Sequence, residues 1–180
     1  TFTAAGVDLR TSVSSIQGIA NLAAVSGSTS QQASTAMYQL SQALATGTVK
    51  LMDWNSVVNA GMGGEVFQQA LIRTSEHLHT GAKNYIEAEG SFRDSLQKGW
   101  LTTEVLTETL NQFSLAVDTT EQYNNAVKDL VSQGYTREEA KSIADMAKTA
   151  GDAATKVKTF SQLIDTLREA LGSGWAQTWQ

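Results

Sequence analysis

The chain has 180 residues, enough for one sizeable core or for two small helical lobes sharing an interface. A formal net charge of −5 disfavours a surface that neutralises phosphates, and 41% hydrophobic against 17% charged residues argues against intrinsic disorder. The absence of cysteine excludes disulfides, thiolate metal sites and cysteine nucleophiles, and the absence of proline removes the commonest interruption of helices from the whole chain.

In chain order, Leu9, Val13, Ile16, Ala20 and Ala23 step by four and three, which places an apolar stripe on a first helix that "SGSTS" (26–30) interrupts. Ala33, Met37, Leu40 and Leu44 repeat the spacing behind a capping-box pair, Thr29 and Gln32, and Gly47 stops the run. These two helices are expected to pack as an antiparallel hairpin. "DWNSVVNAG" reads as a short helix capped by Asp53, and "GGEVFQQALIRTSEHLH" as a longer one with Phe67, Leu71, Thr74 and Leu78 on its inner face. From 80 to 100, Gly81, Gly90 and Gly99 break the periodicity, and the stretch admits a short helix, a structured loop or a small β-hairpin near 90–101.

Helical spacing returns with Leu106, Leu110, Phe113 and Val117. Asp118 with Glu121 is the expected cap of the next helix, whose inner face is Tyr123, Val127 and Leu130, and Gly134 ends it. Thr136 with Glu139 opens "TREEAKSIADMAK", and Val157, Phe160, Ile164, Leu167 and Leu171 form a last stripe that extends towards Trp175. The expected fold is all-α: a compact domain of about seven or eight helices spanning 1–180, with 1–80 and 101–180 as sub-lobes. No run reaches the roughly 20 apolar residues of a membrane span. The start "TFTAAGVDLR" has neither Met nor a signal-peptide pattern, as expected of a fragment of a longer protein.

Chemistry-bearing residues are few. "NAGMGGEVFQQAL" (59–71) has the glycines of a phosphate-cradling loop, but Glu65 occupies the first helical turn, no Lys follows and no strand precedes, so no nucleotide or other cofactor is expected. Gly61, Gly63 and Gly64 read instead as a tight corner between two helices. His77 and His79, two apart on a helix, point to different faces and cannot easily share a metal. Glu138 and Glu139 are first-turn residues favoured by the helix dipole, and Glu87 with Glu89 lacks any sequence sign of a facing partner across a cleft. No catalytic and no metal-ligating residue is expected. Trp54, Met62, Trp100, Trp175 and Trp179 are the candidates for partner binding, with core packing as the alternative for each; Trp175 and Trp179 share one face if the helix continues.

Three blocks, "LSQALATGTVKLMDWNSVVNAGMGGEVFQQAL" (40–71), "GSFRDSLQKGWLTTEVLTETLNQF" (90–113) and "DAATKVKTFSQLIDTLREALGSGWAQTW" (152–179), closely resemble, in order and spacing, the conserved N-terminal region of tape measure proteins of long-tailed bacteriophages. The resemblance implies a non-catalytic virion structural protein that lies in the lumen of the tail tube, templates tube polymerisation and sets tail length, after assembly in the host cytoplasm. It implies as partners the tail tube protein, tail-tip proteins, tail-assembly chaperones or other copies of the chain, with no direct nucleic-acid contact. Two readings from other classes compete: a muralytic or other hydrolytic domain aiding genome entry, and a helical adaptor that binds a host protein through the 130s–140s hairpin.

Overall fold

The computed structural model describes residues 9–157, 162, 164 and 165, and the side chains of all of these except 9–13 and 44. Its described part is all-α, with nine α-helices: α1 (Leu9–Ser26), α2 (Ser30–Leu44), α3 (Leu51–Asn59), α4 (Glu65–His77), α5 (Ala82–Glu89), α6 (Phe92–Ser95), α7 (Thr103–Phe113), α8 (Thr120–Ser132) and α9 (Arg137–Thr155). Instead of a hairpin, the stretch near 90–101 folds as α6 and a 3-10 turn over Leu96–Lys98. The β-type pairing among the described residues is the isolated bridge between Thr48 and Thr102, flanked by Val49 N–H donating to Leu101 O at 2.9 Å.

Local capping chemistry sets several boundaries. Thr29 with Gln32 and Thr136 with Glu139 form reciprocal capping boxes at α2 and α9, each supplying acceptors to amides that the helix cannot satisfy. Two expected caps shift. At α8 the pair is Thr119 and Gln122, because the Thr119 hydroxyl lies where it accepts from the Gln122 amide at 3.1 Å. At α3 the helix begins two residues before Asp53, which sits in the first turn and accepts from the Lys50 amide at 3.0 Å.

α1 is the centre of the fold rather than half of a hairpin. Residues 18 to 23 are all buried, and α1 packs mainly against α7 and α9, whereas α2 packs mainly against α3. Gly18 is the reason for the α1–α7 approach: a Cβ there would lie 1.8 Å from Leu110 O, so the two backbones nearly touch. Polar contacts fix the register of this crossing. Asn21 Nδ2 donates to Phe113 O at 2.8 Å, satisfying a carbonyl at the end of α7, and Ser15 Oγ donates to Asn111 Oδ1 at 3.1 Å.

The buried apolar residues fall into two clusters. The larger gathers side chains from α1 to α7 together with Ala150, and Ile164 packs against its edge. The smaller holds Val117, Ala126, Val127, Leu130, Tyr135, Ala140, Ile143, Ala144 and Ala147. Helix α9 touches both clusters, and its alanines let it lie close to α1, α7 and α8.

Gly18→Ala is expected to destabilise the chain by about 1–3 kcal/mol or more, because the new methyl meets backbone that cannot move aside. Gly151→Ala, in an α9 position with open space around the added Cβ, should instead stabilise by about 0.5–1 kcal/mol. Urea unfolding of the two variants measures both; equal effects would mean that α1 and α7 do not cross at Gly18.

Candidate functional site

The glycine stretch is built from two different constraints. Gly61, with φ of +77°, reverses the chain after α3: its amide donates to Val58 O at 2.9 Å and the Met62 amide to Val57 O at 3.0 Å, the paired bonds of a Schellman cap. The reversal turns Met62 inward beside Val57, and both are fully buried. Gly63 has an ordinary φ but no room, since a Cβ would stand 2.8 Å from Val58 Cγ2 and 3.2 Å from Val58 Cα. Gly64 caps α4 with nothing within 4 Å of an added Cβ. Gln68 Nε2 donates to Gly63 O at 2.8 Å and Glu65 lies in the first turn, so carboxylate and carbonyl surround the place where a phosphate would sit.

The candidate partner-binding residues Trp54, Met62 and Trp100 lie inside the molecule, at 0–1% exposure, and no partner touches them without opening the fold. The two tryptophans belong to a continuous run of aromatic contacts. Trp100 meets Phe92 at 5.5 Å between ring centres, Phe92 meets Trp54 at 4.8 Å, Trp54 meets Phe67 at 5.7 Å and Phe67 meets Phe113 at 6.2 Å. The Trp100 indole nitrogen donates to Ser95 Oγ at 2.9 Å, which satisfies the one polar group the ring buries. Trp175 and Trp179 lie outside the described residues.

Sequence reasoning missed a buried polar seam that joins α4, α7 and the start of α9. Thr109 Oγ1 donates to Thr74 Oγ1 at 2.8 Å, and Gln112 Nε2 donates to Tyr135 Oη at 2.9 Å and to Thr74 Oγ1 at 3.3 Å. Tyr135 Oη donates to Glu108 Oε2 at 3.3 Å, and the Tyr135 ring stacks on His77 at 3.8 Å. Burial raises the Tyr135 phenol above its ordinary value and Glu108 adds to the rise. Burial also raises the Glu108 carboxyl, with His77 and the Tyr135 hydrogen bond opposing it. Arg73, half-buried nearby, is lowered by burial, and Glu139 opposes the shift.

On the surface, Val25, Glu65, Val66, Gln69, Arg73 and Met146 help to line a cleft of about 460 Å³ between α1, α4 and α9. Of the carboxylates weighed for catalysis, Glu139 accepts from the Thr136 amide, Glu89 pairs with Lys98 at 3.1 Å, and Glu87 and Glu138 are exposed. His79 adopts a left-handed conformation, φ 61°, beyond the end of α4 and is exposed, whereas His77 stacks on Tyr135. Among the described residues no group of three or more His, Asp or Glu is placed to hold a metal ion, and no helix is long and apolar enough to cross a membrane.

Capped helices, an aromatic core and a polar seam make the described residues an all-α fold. A family model described as "Tape measure protein" matches residues 1–128, more than half of the chain, and the chain belongs to the tape measure protein family. The family has a structural role in the bacteriophage tail. No curated protein and no solved structure matches the chain.

Two predictions follow from this geometry. Gly61→Ala should cost about 1–2 kcal/mol from left-handed backbone alone, and Val58→Ala should not relieve it. Gly63→Ala should be destabilising and partly rescued by Val58→Ala, so a double-mutant cycle in urea unfolding should show coupling at 63 and additivity at 61. For Glu108 the raised folded value means that the native state holds its proton more tightly than the unfolded chain. Stability should therefore fall as pH rises from the ordinary value of 4.5 to the raised one and keep that penalty above it. Glu108→Gln should flatten this fall; a profile unchanged by the substitution would show that the carboxyl carries no such penalty.

Proposed function

We propose that this chain is a globular docking module of the phage tail's tape measure protein, acting without catalysis in tail assembly and tail-length determination through protein–protein contacts. The supporting observation is the family match over 1–128 joined to the compactness of the fold. The longest described helix, α9 with 19 residues, spans only about 28 Å, whereas all 180 residues as one helix would span roughly 270 Å. A segment folded back on itself in this way suits docking better than measuring. Its proposed place is the lumen of the tail tube in the virion and the host cytoplasm during assembly. The proposed partners are the tail tube protein, tail-tip proteins, assembly chaperones or other copies. Because α9 packs on both clusters and the polar seam joins α4 to α7 and Tyr135, the described residues are proposed to unfold as one unit.

Deleting the coding segment for this chain in frame and imaging the resulting particles by electron microscopy tests the proposal. Loss of tails is the expected outcome, as the segment then supplies a contact needed to begin assembly. Complete tails shortened in proportion to the deleted residues would make the segment part of the ruler and overturn the docking role.

A further inference from the structure

Charge is distributed unevenly along this chain. Between Arg10 and Glu65 the sequence holds only two charged residues, Lys50 and Asp53, whereas each helix from α4 to α9 carries at least two. Helix α2 has none at all, although Gln31, Thr35, Tyr38 and Gln42, spaced by four, three and four, stand exposed on one face of it. Helix α3 runs antiparallel beside α2: Ser28 Oγ, just before α2, donates to Ala60 O at the end of α3. The outward side of α3 holds Met52, Ser56 and Asn59, while Asp53 is half-buried and accepts from the Lys50 amide at the helix start. The α2–α3 face therefore presents carboxamides, hydroxyls and a thioether to solvent, with Lys50 at its edge.

Exposed helix faces are ordinarily charged, and it is the centre of an interface that is depleted of charge and enriched in methionine and aromatic rings. Met52, at 81%, is the most exposed large apolar side chain among the described residues, and Tyr38 is exposed beside it on α2. A groove of about 240 Å³ opens on the same face, lined by Gln31, Gln32, Thr35, Ser56, Asn59 and Ala60.

The charge pattern selects the occupant. With a net charge of −5, two copies of the chain repel wherever their charged faces meet, and this face lets them meet without that cost. Carboxamides and hydroxyls both donate and accept, so the face is complementary to itself. Its spacing is reciprocal as well. A twofold contact requires that if one residue meets a second, the second meets the first. Pairing α3 antiparallel with its copy about an axis at residues 55 and 56 sets each Met52 against the other copy's Asn59, at the groove, so that projection and recess match in both directions.

We propose that the α2–α3 face is a twofold interface between two copies of this chain, with Met52 of each copy seated in the Thr35–Ser56–Asn59 groove of the other. The proposal narrows the docking role to a second copy and rests on that role for its place in the tail, but the dimer itself is read on the purified chain. Tails lost on deletion together with a monomeric chain would leave the docking role standing and strike this surface alone.

Sedimentation equilibrium of the full chain at concentrations up to about 200 µM tests it. The expected result is a reversible doubling of the 19.3 kDa mass. It should be as strong at about 0.5 M salt as at about 0.05 M or stronger, because no ion pair holds the contact and screening only removes the net repulsion. Met52→Glu and Gln31→Glu, both at exposed positions, should each weaken dimerisation about tenfold or more while thermal unfolding followed by circular dichroism stays unchanged. Val131→Glu, at an exposed apolar position on α8, should leave dimerisation unaltered. Asn59→Lys should weaken it, and the double variant Met52→Glu with Asn59→Lys should recover it, since the twofold register then sets opposite charges across the axis. A chain that stays monomeric over this range, an association weakened by salt, no loss from Met52→Glu, or an equal loss from Val131→Glu would overturn the surface. A double variant that recovers nothing would overturn the reciprocal pairing.

Discussion

The run of rings from Trp100 through Phe92, Trp54 and Phe67 to Phe113 is the contact on which the first cluster depends. It ties α3, α4, α6 and α7 together, and it gives the glycine-broken stretch after α4 something to fold against. Helix α6 has only four residues, too few to hold its shape in isolation, and Phe92 anchors it between two tryptophans. The corner at Gly61 and Gly63 serves the same end, because it brings Phe67 on α4 back over Trp54 on α3.

What was legible in the sequence is what is decided locally. The all-α class follows from periodicity without proline, and the boxes at Thr29 and Thr136 follow from side chains three residues from the amides they cap. The slip from Asp118 to Thr119 shows the limit of that reading, since adjacent residues offer equivalent chemistry and only the backbone path chooses between them. The centrality of α1 was not legible. A single stripe describes a helix lying on a core, whereas Gly18 and the neighbouring alanines make a helix that other helices enclose, a distinction that rests on α7 and α9 far along the chain.

Site reading failed for a related reason. A buried tryptophan and an interface tryptophan are the same residue with the same appetite for desolvation, so composition cannot tell Trp54 and Trp100 in a core from anchors on a surface. The polar seam was invisible because its members lie 23 to 38 positions apart and each, taken alone, is an unremarkable threonine, glutamine or tyrosine. Only the fold reveals that Gln112 commits its amide nitrogen to Thr74 and Tyr135 while its oxygen is buried without a partner. The family, by contrast, was readable from long strings, since the order and spacing of blocks survive even where no single residue carries chemistry.

The enclosure of α1 also bears on how the chain is made. Its apolar residues around Ala20 are covered by α7 and by the α9 face near Ala150, so at ordinary synthesis rates of about 5–20 residues per second they wait roughly 6–26 s for the last of their cover to leave the ribosome. During that interval the N-terminal segment is a bare hydrophobic helix in a crowded cell. A nascent polypeptide built this way has reason to meet a holding partner before it meets the rest of itself.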